Sequence, residues 1–265
     1  MNGWMTGVVA VTGGHLAYHR TGGDGPVLVL SHGLTDNALC WSRLASALAP
    51  DFDVIMLDAR GHGESSRMPT GERPGPGEDI AEAILGLGLV RPLVMGHSVG
   101  ARATAHYAAA YPDRVSKVIL EDPPLLPLIE ATKLAARQAG FRDHVAAFQT
   151  VTEAEIIAKG RADSPLWHDD EFPAWAASKR QVDPEAMPVY TVPWQDAVSG
   201  IEAPTLLIRG DAERGSLVTP ERAEAAMALN PRIETVHIGG AGHNVRRENF
   251  ADVLEAVRAF LLRET

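Results

Sequence analysis

The sequence predicts an α/β protein in which a mostly parallel sheet is covered by helices on both faces. Short, continuous apolar runs, such as residues 27–30 and 54–57, are typical of strands buried on both sides of a parallel sheet. Stretches with helical spacing alternate with these runs, as right-handed βαβ units require. From Pro123 to about Gly200 the alternation stops, which indicates a helical insertion into the sheet domain.

The first 120 residues supply most of the predicted sheet. Two β-rich runs on either side of Gly13-Gly14 predict a hairpin. Apolar residues at helical spacing, for example 41, 44, 45 and 48, predict helices, and a segment with five glycines and three prolines predicts a loop. The expected order is strands 8–11, 16–19 and 27–30, helix 41–49, strand 54–57, loop 61–77, helix 80–89, strand 93–95, helix 99–110 and strand 115–120.

The next segment, 123–200, contains helical stretches at 129–140, 153–159 and 172–179 and three of the five tryptophans. It is too long for a simple connection, so we expect it to form a lobe of its own. The alternation then resumes with strand 205–208, helix 220–229, strand 234–238 and helix 250–262. We therefore divide the chain into a core, 1–122 and 201–265, and a helical cap, 123–200.

Composition excludes several classes of protein. With 24 Lys and Arg against 34 Asp and Glu, the net charge of −10 argues against a nucleic-acid binder. The sequence contains no run of 18 apolar residues, so no membrane span is predicted. The first ten residues do not resemble a signal peptide. A single cysteine, Cys40, makes an internal disulfide impossible and a zinc cluster unfavourable. We expect a cytoplasmic protein that acts on a small molecule; oligomeric state is not readable.

A G-x-S-x-G pattern, Gly96-His97-Ser98-Val99-Gly100, carries the strongest chemical signal. A serine on a tight strand-to-helix turn adopts strained backbone angles, so the flanking positions need residues almost without side chains. A predicted strand precedes the pattern and a predicted helix follows it, which is the setting that the pattern requires. Ser98 is therefore the predicted nucleophile, and His97 is predicted to pack at the turn.

A nucleophilic serine needs a base, and His243 is the candidate among the ten histidines. It lies in the glycine-rich segment 239–244, after the last predicted strand and before the last helix. Residues beyond the carboxyl ends of parallel strands line the site in open α/β sheets. Ser98 also follows a strand end, so the two side chains are expected to meet.

The third member of such a triad is a carboxylate that orients the imidazole. Asp122 follows the strand at 115–120, whereas Asp211 and Glu213 follow the strand at 205–208. Both positions give the chain order Ser, acid, His. The pattern alone leaves the choice between them open.

Hydrolysis through a serine also needs backbone N–H groups preset where the oxyanion forms. The amide of Val99, next to the nucleophile, is one predicted donor. Leu34, in Ser31-His32-Gly33-Leu34 after an early strand, is the other, because Gly33 lets the backbone approach the substrate.

Together these motifs resemble the α/β-hydrolase superfamily, in its serine hydrolase branch. They lie in the order and at the spacing of that family, over essentially the whole chain. The resemblance implies an eight-stranded, mostly parallel sheet with a helical cap after strand six. The motifs are His32-Gly33, Leu57-Asp58-Ala59-Arg60-Gly61-His62-Gly63-Glu64-Ser65, Gly96-His97-Ser98-Val99-Gly100 and Gly240-Ala241-Gly242-His243.

Within the superfamily, Gly96 to Arg102, Asp122-Pro123-Pro124 and Gly242-His243 resemble the N-formylmaleamate deformylases. That subgroup takes its acid after strand six, at a position that matches Asp122. The common placement in the superfamily, after strand seven, matches Asp211 or, more closely, Glu213. The resemblance therefore favours Asp122 and keeps the other two as alternatives.

The predicted function is hydrolysis of an ester, lactone or amide bond, a formamide included, through an acyl-enzyme on Ser98. The same triad would serve a carbon–carbon bond hydrolase or a cofactor-free perhydrolase, and the scaffold also suits a ligand-sensing receptor. Epoxide hydrolases and haloalkane dehalogenases have an aspartate at the tight strand-to-helix turn, the nucleophile elbow, where this sequence has Ser98. Ser98 therefore argues against them. Neither a metal nor an organic cofactor is expected.

Four residues are expected to contact the substrate. Arg102 lies about one helical turn beyond Ser98 and suits an anionic group, although an ion pair within the fold is the alternative. Trp167, Trp175 and Trp194 are expected to form part of an apolar roof, and the alternative for each is to hold the cap to the core.

Overall fold

A computed structural model describes residues 3–71, 73–75 and 77–264 and shows one sheet of eight strands in the order β1-β2-β4-β3-β5-β6-β7-β8. The first hairpin is antiparallel, β2 pairs antiparallel with β4, and the remaining pairs are parallel. This arrangement confirms the predicted fold class. The strands are β1 (Met5–Val11), β2 (Gly14–Arg20), β3 (Val27–Ser31), β4 (Asp53–Leu57), β5 (Leu93–His97), β6 (Lys117–Glu121), β7 (Thr205–Arg209) and β8 (Ile233–His237).

Helices cover both faces of the sheet, and two apolar clusters lie between the layers. One cluster joins the sheet to α2, α3, α7 and α8; the other joins it to α1 and α10. Strands β3 to β6 are almost entirely buried, because both of their faces are covered. The helices are α1 (Ser42–Leu48), α2 (Glu78–Gly86), α3 (Val99–Ala110), α4 (Ala131–Gln149), α5 (Glu153–Asp163), α6 (Glu171–Lys179), α7 (Trp194–Ser199), α8 (Pro220–Leu229), α9 (Val245–Glu248) and α10 (Phe250–Leu262).

Four helices, α4 to α7, lie between β6 and β7, where the insertion was expected after the sixth strand. The first is longer than predicted: α4 continues through Gly140 to Gln149, because a single interior glycine costs less than the helix gains from its other residues. A capping box between Thr152 and Glu155 then starts α5. The last of the four, α7, packs against α3 and α8 of the sheet domain.

The short helix α9, which begins two residues after His243, was not predicted from the sequence. A four-residue helix has too little periodicity to be recognised. Among the described residues, no helix combines the length and the apolar character that a membrane crossing requires.

The packing of α3 on β3 depends on Gly100. A Cβ atom at this position would lie 2.3 Å from the carbonyl oxygen of His32 and 2.4 Å from that of Ser31. Backbone atoms at these distances cannot move aside without separating the helix from the strand. At Gly140, by contrast, a Cβ atom would meet nothing within 4 Å.

We expect Gly100→Ala to lower the free energy of unfolding by about 3 kcal/mol or more, because the added methyl overpacks two backbone groups. The matched change Gly140→Ala should raise it by about 0.5–1 kcal/mol, because alanine is the better residue inside a helix. Urea denaturation followed by tryptophan fluorescence measures both. Equal effects of the two substitutions would contradict this account of the contact.

Candidate active site

Three side chains from three strand ends form a chain of hydrogen bonds. Ser98 lies between β5 and α3, Asp122 follows β6, and His243 lies in the loop between β8 and α9. The Nε2 atom of His243 is 3.0 Å from Ser98 Oγ, and its Nδ1 atom is 2.6 Å from Asp122 Oδ2. The imidazole is thus held between a hydroxyl and a carboxylate.

The backbone at Ser98 is strained, with φ at +54°, a region that a residue with a side chain rarely adopts. The surrounding glycines make this turn sterically possible. A Cβ atom at Gly96 would lie 2.4 Å from the carbonyl oxygen of Gly100. A Cβ atom at Gly100 would in turn clash with the backbone at the end of β3, as described above. The tight turn therefore explains both glycines of the motif.

Asp122 is completely buried and also has a positive φ, +43°. Besides His243, three groups from the segment after β7 donate to its carboxylate: the hydroxyl of Ser216 at 2.7 Å and the amides of Leu217 and Val218 at 2.8 and 2.9 Å. Such donors replace the water that a carboxylate loses when it is buried. The position of Asp122 is therefore fixed both by β6, which it follows, and by the segment after β7, which supplies its three donors.

The other two candidate acids have different surroundings. Asp211 accepts hydrogen bonds from His237 Nε2 at 2.6 Å and from the amide of Gly240 at 2.8 Å, and these bonds hold the pKa of Asp211 below its usual value. Glu213 is exposed in the short 3₁₀ turn Ala212–Arg214. Asp211 therefore braces the loop that carries His243, whereas Asp122 contacts the imidazole itself.

The two predicted oxyanion donors belong to the residue that follows Ser98 and to the residue that follows Gly33. Val99 is the first residue of α3, so its amide has no acceptor within the helix. Gly33 approaches the nucleophile closely, because a Cβ atom there would lie 3.4 Å from Ser98 Cβ and 2.8 Å from His97 Nδ1. The amide of Asp36 donates to the carbonyl of Gly33 at 3.1 Å and closes a β-turn that contains Leu34.

Three cavities meet at Leu34, which lines each of them. The polar cavity, about 300 Å³, is lined by Ser98 and His243 together with residues of α5 and α6. The apolar cavity, about 480 Å³, extends past Val99 towards the loop after β4. The small cavity, about 110 Å³, lies between Val99 and the segment that follows Asp122.

Of the predicted substrate contacts, Trp167 and Trp175 line the polar cavity and Arg102 lines the small cavity. Trp194 does not fit its prediction: it begins α7 and is buried in the apolar cluster beneath the sheet. Segment 123–200 looked like one lobe in the sequence, yet its last helix belongs to the core layer. That expectation for Trp194 is wrong.

Arg102 is buried, and its guanidinium donates to the carbonyls of Pro124, Leu126 and Val192 at 3.0–3.2 Å. Its Cζ atom lies 3.9 Å from the centre of the Tyr190 ring. Neither an acidic partner nor a partner for its Nε atom is found within residues 3–71, 73–75 and 77–264. The ion pair considered from the sequence is therefore not observed, and the cation borders the small cavity.

His97 supports the loop of His243. Its Nε2 atom donates to the carbonyl of His243 at 2.9 Å, and the two rings lie 4.9 Å apart. Burial, followed by the charge of Arg246, holds the pKa of His97 well below its usual value, so the ring stays neutral. It packs at the turn, as the sequence indicated.

Sequence reasoning assigned no role to two groups of buried polar residues. His32 and His62 line the apolar cavity, and burial lowers their pKa values to about 4 and about 3. Six charged side chains form a second group, the buried charge cluster, and three of them, Asp36, Lys179 and Arg247, line the polar cavity. A pair of adjacent arginines, three and four residues after His243, was the available signal. The cluster consists of Asp36, Glu121, Glu171, Lys179, Arg246 and Arg247.

A family model described as the alpha/beta hydrolase fold matches residues 26–249. The chain belongs to the α/β-hydrolase family. The match spans the turn of Leu34, the elbow at Ser98 and the loop of His243. Within the part of the chain that the structure describes, no three His, Cys, Asp or Glu side chains are grouped as metal ligands.

Several relatives are similar to this chain along nearly its whole length. A 2-(acetamidomethylene)succinate hydrolase from Mesorhizobium japonicum is 28% identical, with 91% of this chain and 90% of the relative covered. An N-formylmaleamate deformylase from Pseudomonas putida is 26% identical, with 96% of each covered. The crystal structure of an E-2-(acetamidomethylene)succinate hydrolase superposes with a TM-score of 0.79 at 26% identity, covering 97% of this chain and 99% of that one.

We expect Asp122→Asn to lower kcat by about four orders of magnitude, because an amide holds the imidazole in the wrong tautomer. Asp211→Asn is the matched control: it removes a carboxylate that contacts His237 and Gly240, and we expect less than about a tenfold loss. Steady-state hydrolysis of an activated ester measures both. A larger loss in the Asp211 variant would assign the acid to the segment after β7.

Proposed function

We propose that this protein is a serine hydrolase that cleaves an amide or ester bond of a small molecule through an acyl-enzyme on Ser98. The observation that supports this most directly is the hydrogen-bond chain Ser98–His243–Asp122 at a strained elbow. We further propose that the enzyme works in the cytoplasm, without a metal or organic cofactor.

In the first half of the proposed reaction, Ser98 Oγ attacks the substrate carbonyl while His243 Nε2 takes the hydroxyl proton. Asp122 stabilises the imidazolium that results. The negative charge moves onto the carbonyl oxygen, where the amides of Leu34 and Val99 donate to it. The tetrahedral intermediate then expels the amine or alcohol, which leaves with the proton from His243.

In the second half, water replaces the leaving group beside His243. The imidazole takes a proton from water as the hydroxide oxygen bonds to the acyl carbon. Collapse of the second tetrahedral intermediate breaks the bond to Ser98 Oγ, and His243 returns the proton to the serine. The acid product is released and the free enzyme is restored.

The substrate, in our proposal, carries a carboxylate group. Two cations, Arg102 and Arg137, line the small cavity next to Val99. In the described part of the chain neither has an acidic partner, and Arg102 Nε has no acceptor. The names of the two relatives, an acetamidomethylene succinate hydrolase and a formylmaleamate deformylase, both describe N-acylated compounds with carboxylates. An N-acyl compound with a carboxylate is therefore the class to test first.

Ser98→Ala should abolish hydrolysis and covalent labelling by a fluorophosphonate probe. The assay pairs each N-formyl and N-acetyl amide that bears a carboxylate with its methyl ester, and adds p-nitrophenyl esters and lactones. Intact-mass spectrometry locates the label. Labelling that persists in the Ser98 variant would overturn the nucleophile assignment, and turnover of β-diketones or peracids alone would replace the proposed reaction by one of the alternatives.

Arg137→Gln should raise KM for carboxylate-bearing substrates by about 3- to 10-fold, with little change for neutral ones, because one charged partner is lost. Lys133→Gln, on the same helix and exposed, is the charge-matched control. Steady-state kinetics with acid and methyl-ester substrate pairs separates the two effects. An equal change in KM for the acid and for its methyl ester would show that the small cavity does not bind the carboxylate.

A further inference from the structure

The turn that contains the Leu34 amide is held in a conformation that its own sequence does not favour. Thr35 has a φ of +66°, the left-handed region, at the third position of the turn closed by Gly33 and Asp36. Turns with this geometry prefer glycine there. A β-branched residue is costly in that region, so other contacts have to hold the turn.

Those contacts come from the cap. Lys179, the last residue of α6, donates from Nζ to the carbonyl oxygen of Thr35 at 2.9 Å, to Thr35 Oγ1 at 2.9 Å and to Asp36 Oδ1 at 3.2 Å. All three ammonium protons are therefore used on two consecutive residues of the turn. The hydroxyl of Ser178 lies 2.9 Å from the same Thr35 carbonyl.

The buried charge cluster fixes both ends of α6 relative to the site. Asp36 lies 3.1 Å from Arg247 Nη2, and Arg247 Nε is 3.3 Å from Glu171 at the start of α6. Burial opposes ionisation of Asp36, but the charges of Arg247, Lys179 and Arg246 outweigh it and hold the pKa of Asp36 well below its usual range. The carboxylate thus remains a partner for Lys179.

The same cluster also contacts the region around the loop that carries the base, His243. Arg246, next in sequence to Arg247, donates from its amide and its guanidinium to Glu121 at 2.9 and 3.0 Å. Glu121 precedes Asp122, and both arginines lie in α9, directly after the loop of His243. The turn, the base and the cap helix are therefore connected by charges that are almost completely buried.

We propose that Lys179 is a positioning residue of this enzyme: from the cap, it holds the turn Gly33–Asp36 in the conformation that presents the Leu34 amide to the oxyanion. The proposal rests on the proposed function, since a preset amide matters only if Ser98 forms a tetrahedral intermediate. It makes the seating of α6 a condition for catalysis. Lys179 touches no reacting atom and acts through Thr35.

A lysine suits this task because its three donors converge on oxygen atoms of one turn. The methionine side chain is about as long as that of lysine and resembles its apolar stem, but it cannot donate a hydrogen bond. Lys179→Met therefore removes the contacts to Thr35 and Asp36 with little change in volume. Asp36 keeps Arg247 as a partner in that variant. The exposed Lys133 of α4 provides the same substitution at a position outside the site.

We expect Lys179→Met to lower kcat by about 10- to 100-fold with little change in KM, because a displaced oxyanion donor weakens binding of the transition state. The affinity for a boronic acid inhibitor, which mimics the tetrahedral state, should fall by a similar factor. Lys133→Met should leave kcat, KM and inhibitor affinity unchanged. Circular dichroism and a thermal melt establish that both variants are folded.

A second substitution separates positioning from simple attachment of the cap. Glycine adopts a positive φ without strain, so Thr35→Gly in the Lys179→Met background should restore kcat and inhibitor affinity at least in part. If Lys179 only anchors the cap, the double variant stays as slow as Lys179→Met. Glu171→Gln, which loosens the other end of α6, would then cause the same loss.

These variants separate a failure of the positioning role of Lys179 from a failure of the proposed hydrolase function. Wild-type kcat and inhibitor affinity in Lys179→Met, or a loss that Thr35→Gly does not rescue, would overturn the positioning role while Ser98→Ala remained inactive. Full activity in Ser98→Ala would instead remove the proposed function. Ser178→Ala, a milder change at the same carbonyl, should lower kcat by a smaller factor, and it keeps the question answerable if Lys179→Met does not fold.

Discussion

The carboxylate of Asp122 is the point on which the arrangement of the site depends. It is completely buried, it follows β6 with a positive φ, and it accepts from Ser216, Leu217, Val218 and His243. A buried charge is tolerated only with such a set of donors. The segment after β7 therefore has to fold over the end of β6, and the loop of His243 has to come to meet it.

This requirement also explains why the sequence left the choice of acid open. The motifs show which residues follow strand ends, and they led to Ser98, His243, Leu34 and Val99 as well as to the fold. Whether Asp122 or Asp211 faces the imidazole depends on the path of the segment after β7, in which Ser216 to Val218 turn inward and Asp211 turns to His237 and Gly240. No local pattern encodes that path.

The tryptophans show a similar limit. Trp167, Trp175 and Trp194 look alike in composition and all lie between Pro123 and Gly200, yet two line the polar cavity and the third is buried beneath the sheet. The buried charge cluster was equally hidden, because its members come from four separate segments and each looks like a surface residue in the sequence. Long-range packing, rather than local propensity, decides both cases.

Burying six charges rarely adds much stability compared with an apolar core of the same shape, but it does restrict how the surrounding elements fit together. Here the restriction falls on three loops whose relative placement determines the chemistry. Leu34 shows the consequence most clearly: it lines all three cavities, and its amide is the predicted second donor to the oxyanion. A cap residue that holds this turn therefore shapes the walls around the substrate and the charge stabilisation at its carbonyl together.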